Sequence, residues 1–148
     1  MIPNQLLSEV TKIKQLNVED AIVDGQFPAS GSFIDVSQFH RFAFLIMAGA
    51  LNSALTAKVQ QASAVNGALK DVTSATVTIP ANGDDKWYLI EVETNHLDSN
   101  NGYKYVTLDL AGAAGGDDYG AILFLGLNPG YAPVTQGSDK GEIVSVVG

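Results

Sequence analysis

The stretch from Asn101 to Leu110, Asn-Gly-Tyr-Lys-Tyr-Val-Thr-Leu-Asp-Leu, constrains this chain most, because a turn dipeptide opens directly into alternation between two faces. Val106, Leu108 and Leu110 fall on one side, and Tyr103, Tyr105, Thr107 and Asp109 on the other. A period of two is that of a half-buried strand in an antiparallel sheet with one wet side.

The same grammar recurs along the chain. Ala21–Val23, closed by Asp24-Gly25, and Ser32–Val36, after the break at 28–31, read as short strands. In the second, Phe33 and Asp35 share one face and Ile34 and Val36 the other, which suits a strand near an edge with one side exposed. Arg41–Gly49 is apolar on both faces and reads as a central strand. Leu55–Ala62 alternates, and Val72–Ile79 ends at Pro80, which cannot donate to a ladder. Lys86–Glu93 sets Trp87, Leu89, Glu91 and Glu93 opposite Tyr88, Ile90 and Val92, with the tryptophan expected to anchor core or rim. Tyr119–Leu127 stops at Asn128-Pro-Gly130, and Glu142–Val147 is expected as a last strand.

Turn signals separate these segments, and the Asn-Gly pairs at Asn66, Asn82 and Asn101 favour hairpins. The pattern predicts an all-β fold, an antiparallel β-sandwich with a jelly-roll-like arrangement. Leu6, Val10 and Ile13 recur at helical spacing within Gln5–Leu16. The expected division is therefore an N-terminal arm or short helix over residues 1–18 and one sandwich domain over 19–148.

Charge and composition remove several function classes. Sixteen acidic residues against eight basic ones give a net charge of −8, Arg41 is the only arginine, and the lysines are dispersed. Such a surface repels phosphate, so neither nucleic acid nor an anionic membrane is expected as a partner. Without cysteine there is no disulfide framework, thiolate zinc site or cysteine nucleophile. Residues Met1–Val10 lack the basic start, apolar stretch and cleavage site of a signal peptide, so export by that route is not expected. The apolar run Phe42–Leu51 falls well short of the ~20 residues that span a bilayer.

Chemistry-bearing residues form no convincing constellation. His40 and His96 are far apart and lack metal-ligand spacing, and no Gly-x-Ser-x-Gly elbow is present. Asp98-Ser-Asn-Asn-Gly102 resembles a calcium loop, but its glycine comes one position early, and Asp98 suits a turn cap better. Asp84-Asp85 and Asp117-Asp118 read as solvated loops, and Glu91, Glu93 and Asp109 as a wet sheet surface rather than a hydrolytic carboxylate pair. Gly112–Gly116 leads into a strand, and no phosphate-binding lysine-serine pair follows it. Tyr103, Tyr105 and Tyr131 suggest an aromatic platform for sugar, weighed against ordinary sheet packing. On these residues the chain is expected to be no enzyme, with no cofactor and no metal.

A looser likeness runs through Gly31–Ser37, Ala57–Ala62 followed by Gly67–Val72, Leu97-Asp98 leading to Asn101–Tyr103, and Tyr131–Pro133 before the terminal segment. Together these segments resemble the tailed-bacteriophage capsid decoration, or cement, proteins built as β-sandwiches. The resemblance implies a structural virion protein on the exterior of an icosahedral phage head, assembled in the host cytoplasm. It would bind the major capsid protein and itself, as homotrimers at three-fold or quasi-three-fold positions. The expected capsid contacts are Ile2, Pro3, Leu6, Leu7 and Val10, since apolar residues on a weakly ordered segment need a partner. Tyr103 and Tyr105 are the expected subunit-contact face. The alternative is a carbohydrate- or receptor-binding sandwich module of a phage tail or surface protein.

Overall fold

A computed structural model describes residues 5–17, 22–114 and 119–146. A single helical turn, α1 (Leu7–Val10), leads without a break into β1 (Thr11–Asn17). There follow β2 (Gly25–Phe27), β3 (Ile34–Asp35), β4 (Phe39–Ala48), β5 (Leu55–Ala62), β6 (Lys70–Ile79) and β7 (Trp87–Glu93). Two 3-10 turns, Thr94–His96 and Ser99–Asn101, precede β8 (Tyr105–Ala111) and β9 (Tyr119–Pro129). The strands form two antiparallel sheets packed face to face, in the orders β1-β9-β4-β7 and β2-β8-β5-β6, with β3 also paired to β8. The all-β antiparallel sandwich is as expected.

Between the sheets lies one apolar core. From β4 come Phe42, Phe44 and Ile46, from β9 Ile122 and Phe124, and from the facing sheet Leu55, Val59, Val106, Leu108 and Leu110, all at most 2% exposed. Phe44 and Phe124 meet edge to face with ring centroids 5.6 Å apart, the geometry that suits the ring quadrupoles. Phe39 lies over Gly126, where a Cβ would come within 2.6 Å of the ring, so the strand is bare there to let the ring in. Val106, Leu108 and Leu110 occupy the core side that their alternation predicts, and β4 is the central strand that its composition predicts, buried on one face.

Several expectations are corrected. Helical spacing in Gln5–Leu16 yields only one turn, because from Thr11 the chain pairs with β9 in the register Thr11↔Leu127 to Gln15↔Leu123. Cross-strand packing of Thr11 and Ile13 outweighs a helical pattern that these β-branched residues weaken. The segment expected as an arm over 1–18 is thus part of the sandwich from Thr11 onward. Residues Ile22 and Val23 form no strand, and Ala21 lies outside the described residues. Phe33 is buried and β3 is only two residues long, so Ser32–Val36 is an edge segment with its aromatic turned inward. Residues 141–146 form no strand, and Val147 lies outside the described residues.

Among the described residues only β5 and β6 are joined as a hairpin, across Asn66-Gly67; the Asn82-Gly83 and Asn101-Gly102 turns sit in connections that change sheet. An Asn-Gly pair bends the chain whether or not the flanking strands then pair. Of these three glycines only Gly102 has a left-handed backbone, with φ 78°.

Candidate functional site

The two outer faces of the sandwich differ in kind. On the β1-β9-β4-β7 sheet, the registers align four rows of outward side chains. Trp87 lies beside Met47, and Leu89 beside Leu45, Leu123 and Gln15. Glu91 lies beside Ala43, Leu125 and Ile13, and Glu93 beside Arg41, Leu127 and Thr11. An apolar band therefore crosses the sheet diagonally from Trp87 to Ile13, with charge confined to one corner. Trp87 is 68% exposed, Leu89 43% and Met47 42%, which corrects the expectation that the tryptophan anchors the core or its rim. Tyr88, Ile90 and Val92 take the inward side of β7 instead, because the core needs the aliphatic pair there.

On the opposite sheet the outward rows are polar and several of their side chains hydrogen-bond one another, although Gln60 Oε1 is buried without a partner among the described residues. Thr56 stands beside Thr78, and Lys58 between Thr76 and Asp109. Asp71 accepts hydrogen bonds from Gln60 Nε2 at 2.9 Å and Lys58 Nζ at 3.3 Å, and these hold its carboxyl below the usual carboxylate range, the Gln60 bond most of all. Gln26 Nε2 donates to Asp109 Oδ1 at 3.2 Å. Thr107, expected on the wet side, is fully buried, because residue 28 folds over it and its hydroxyl donates to the Pro28 carbonyl at 2.6 Å.

The two ends of the described chain meet at the β1 edge. In α1, the Leu6 amide donates to Glu9 Oε2 at 2.9 Å, half of a capping box, while the Glu9 amide turns back to the Leu6 carbonyl. The Val134 amide donates to the Glu9 carbonyl at 2.9 Å, which ties the segment after β9 to this turn. From there two side chains cap the outer edge of β1. Gln136 Oε1 accepts from the Ile13 amide at 3.1 Å, Asp139 Oδ2 accepts from the Gln15 amide at 2.8 Å, and Gln136 Nε2 donates to the Ser8 and Thr11 carbonyls. Burial pushes the Asp139 carboxyl up, but the Gln15 amide and nearby Lys14 and Lys12 leave it lowered overall. Neither Gln136 nor Asp139 stands out in the sequence, because capping a strand edge from 123 and 124 positions away leaves no local signal.

Beside this clasp runs a groove of ≈ 550 Å³, with Leu6, Leu7, Ile13 and Leu123 on one side and Ile143, Val144 and Val146 on the other. Of the expected capsid contacts, Leu7 is 60% exposed and Leu6 half-buried. Val10 is only 9% exposed, and burial in the fold leaves it little surface to offer a partner. Ile2 and Pro3 lie outside the described residues.

The remaining candidates are dispersed. Lys70 Nζ sits 4.1 Å from the centre of the Tyr103 ring and Lys104 Nζ 5.5 Å from that of Tyr105, so a cation attends each expected contact or sugar platform. Tyr131 is 89% exposed in the loop after β9. Asp98 accepts from Lys70 Nζ and from Asn101 Nδ2, and the lysine bond, then the asparagine, lowers its pKa. Its carboxylate braces the turn that a calcium loop would need to open. Glu93 pairs with Arg41 at 3.2 Å, while Asp109 lies on the other sheet, so Glu91, Glu93 and Asp109 do not converge. His40 and His96 are exposed and separate, and Asp117 and Asp118 lie outside the described residues. Among the described residues no group of three or more His, Asp or Glu is placed to hold a metal ion. No family model, no curated protein and no solved structure matches this chain.

Proposed function

We propose that this chain is a structural protein of the virion, a decoration protein that binds the major capsid protein on the outside of an icosahedral phage head and braces it. The observation that carries the reading is the contrast between the outer faces of the sandwich: one is polar and cross-linked by hydrogen bonds such as those of Gln60 and Lys58 to Asp71, the other an exposed apolar band that continues past Ile13 to Leu7. Contiguous exposed apolar surface of this kind marks contact with another protein. The resemblance to phage decoration proteins supplies the partner, and the same resemblance implies trimers at three-fold or quasi-three-fold positions on heads assembled in the host cytoplasm. Taking β2 and β3 as one interrupted edge strand along β8, the orders β1-β9-β4-β7 and β2-β8-β5-β6 support a jelly-roll arrangement, an architecture that serves capsid and lectin domains. The acidic surface suits a protein that must stay soluble near packaged nucleic acid without binding it.

The placement of contacts shifts from the arm expected in the sequence to the sheet face with Leu6 and Leu7 at its border. Co-sedimentation of the purified chain with heads assembled from a phage major capsid protein of the same genome tests the reading. Saturable binding at a fixed ratio of chains to capsid subunits is expected. Heads that pellet without the chain at any concentration would overturn it.

A further inference from the structure

A sandwich of two open sheets has edges to manage, since each presents unpaired backbone groups to other chains. Three of the edges here are blunted. Gln136 and Asp139 cap β1. The β6 ladder is broken opposite Lys58 and Gln60, where Ser74 takes a left-handed φ of 65°. The edge along β8 is split into β2 and β3 by the segment that begins with Pro28. The fourth edge, β7, has none of these devices. The Ala48 amide donates to the Lys86 carbonyl at 2.9 Å, and alternation in the antiparallel register then turns the amides and carbonyls of Trp87, Leu89 and Glu91 away from β4. No described residue hydrogen-bonds to those amides.

The same chain holds an unpaired strand-like segment. Glu142-Ile-Val-Ser-Val146 is rich in β-branched residues, which favour a pleated, packed surface. Yet Ile143 is 49% exposed, Val144 75% and Val146 93%, and no described residue hydrogen-bonds to the backbone of 141–146. It lines the groove beside Leu6, Leu7 and Ile13, at the β1 end of the sheet whose opposite end is β7.

We propose that residues 140–146 of one copy add as a strand to the β7 edge of a second copy. This contact is head to tail: each chain gives a tail at one end of the sheet and receives one at the other, so it closes into a ring when the rotation permits. Charge and polarity fix the direction. The tail runs from Lys140 to apolar Val144 and Val146, while β7 runs from apolar Trp87 and Leu89 to acidic Glu91 and Glu93. Antiparallel addition therefore sets Val146 by Trp87, Val144 by Leu89 and Lys140 by Glu93. The one like-charged contact, Glu142 beside Glu91, is flanked by Lys140 and by Arg41, which already pairs with Glu93. The inference stands apart from the capsid reading, because it concerns copies of this chain in solution without heads.

The test is the solution mass of the full chain and of two variants whose melting is checked first: one ending at Lys140, which keeps Gln136 and Asp139, and Glu91→Pro, which removes an outward edge amide that β4 does not use. The full chain should form a discrete oligomer and each variant alone a monomer. Mixed together, the variants should form a one-to-one heterodimer, since one retains the edge and the other the tail. Glu142→Lys should shift the full chain's dissociation to lower concentration. A full chain that is monomeric throughout, a truncated chain that keeps the full chain's mass, or a mixture that stays monomeric would each overturn the proposal.

Discussion

The two outer faces of this sandwich are built on the same strand period, yet one presents polar side chains and the other a band of exposed apolar ones. On the β2-β8-β5-β6 sheet, outward positions include threonine, lysine, glutamine and aspartate that hydrogen-bond one another, as Gln60 Nε2 and Lys58 Nζ do with Asp71. On the β1-β9-β4-β7 sheet, the outward positions of β4, β7 and β9 are largely Leu, Met and Trp, and the neighbouring inward positions are apolar too. Burial in the core therefore accounts for only one side of the second sheet. Its outer side stays partly exposed, most of all at Trp87, Leu89 and Met47, and is the better candidate for binding.

That contrast can be broken at adjacent residues of β4. Phe44 is fully buried against Phe124, whereas Leu45 faces outward and is half-buried. Phe44→Ala should cost about 3 to 5 kcal/mol of unfolding free energy by denaturant titration, and Leu45→Ala at most about 1 kcal/mol. Equal losses would mean that the outer face is part of the folding core. At the edge of the apolar sheet, Gln136→Ala leaves the Ile13 amide and the Ser8 and Thr11 carbonyls without their partner. A loss of about 1 to 2 kcal/mol is expected, with faster hydrogen exchange at Ile13.

The smallest effect belongs to the polar face. Asp71→Asn should cost about 0.2 to 1 kcal/mol, as for exposed ion pairs. Because the folded state lowers the Asp71 pKa, its contribution is present above the unfolded aspartate value of about 3.9 and is lost as pH falls through the lower folded value. Comparing the stability of wild type and Asp71→Asn across pH 7 to pH 2 checks the sign: the difference should shrink on acidification.

How far the sequence reveals these features depends on how local their causes are. Val106, Leu108 and Leu110 alternate strictly and point where that period requires. The same period in Lys86–Glu93 separates the two faces correctly but does not say which is inside, and the tryptophan lies out. Gln5–Leu16 shows a helical spacing that pairing with β9 overrides from Thr11 onward. Glu142–Val146 has a strand's composition without a strand partner among the described residues. The edge caps at Gln136 and Asp139 depend on contacts across the whole chain, so nothing in their own neighbourhood announces them.

The contact-face claim is tested most directly by placing the same charge on each face. Met47→Lys and Thr56→Lys both alter exposed strand positions, the first on the apolar band and the second on the polar sheet. With both variants folded, co-sedimentation with heads should be lost for Met47→Lys and unchanged for Thr56→Lys. Full binding by Met47→Lys, or loss confined to Thr56→Lys, would contradict the account.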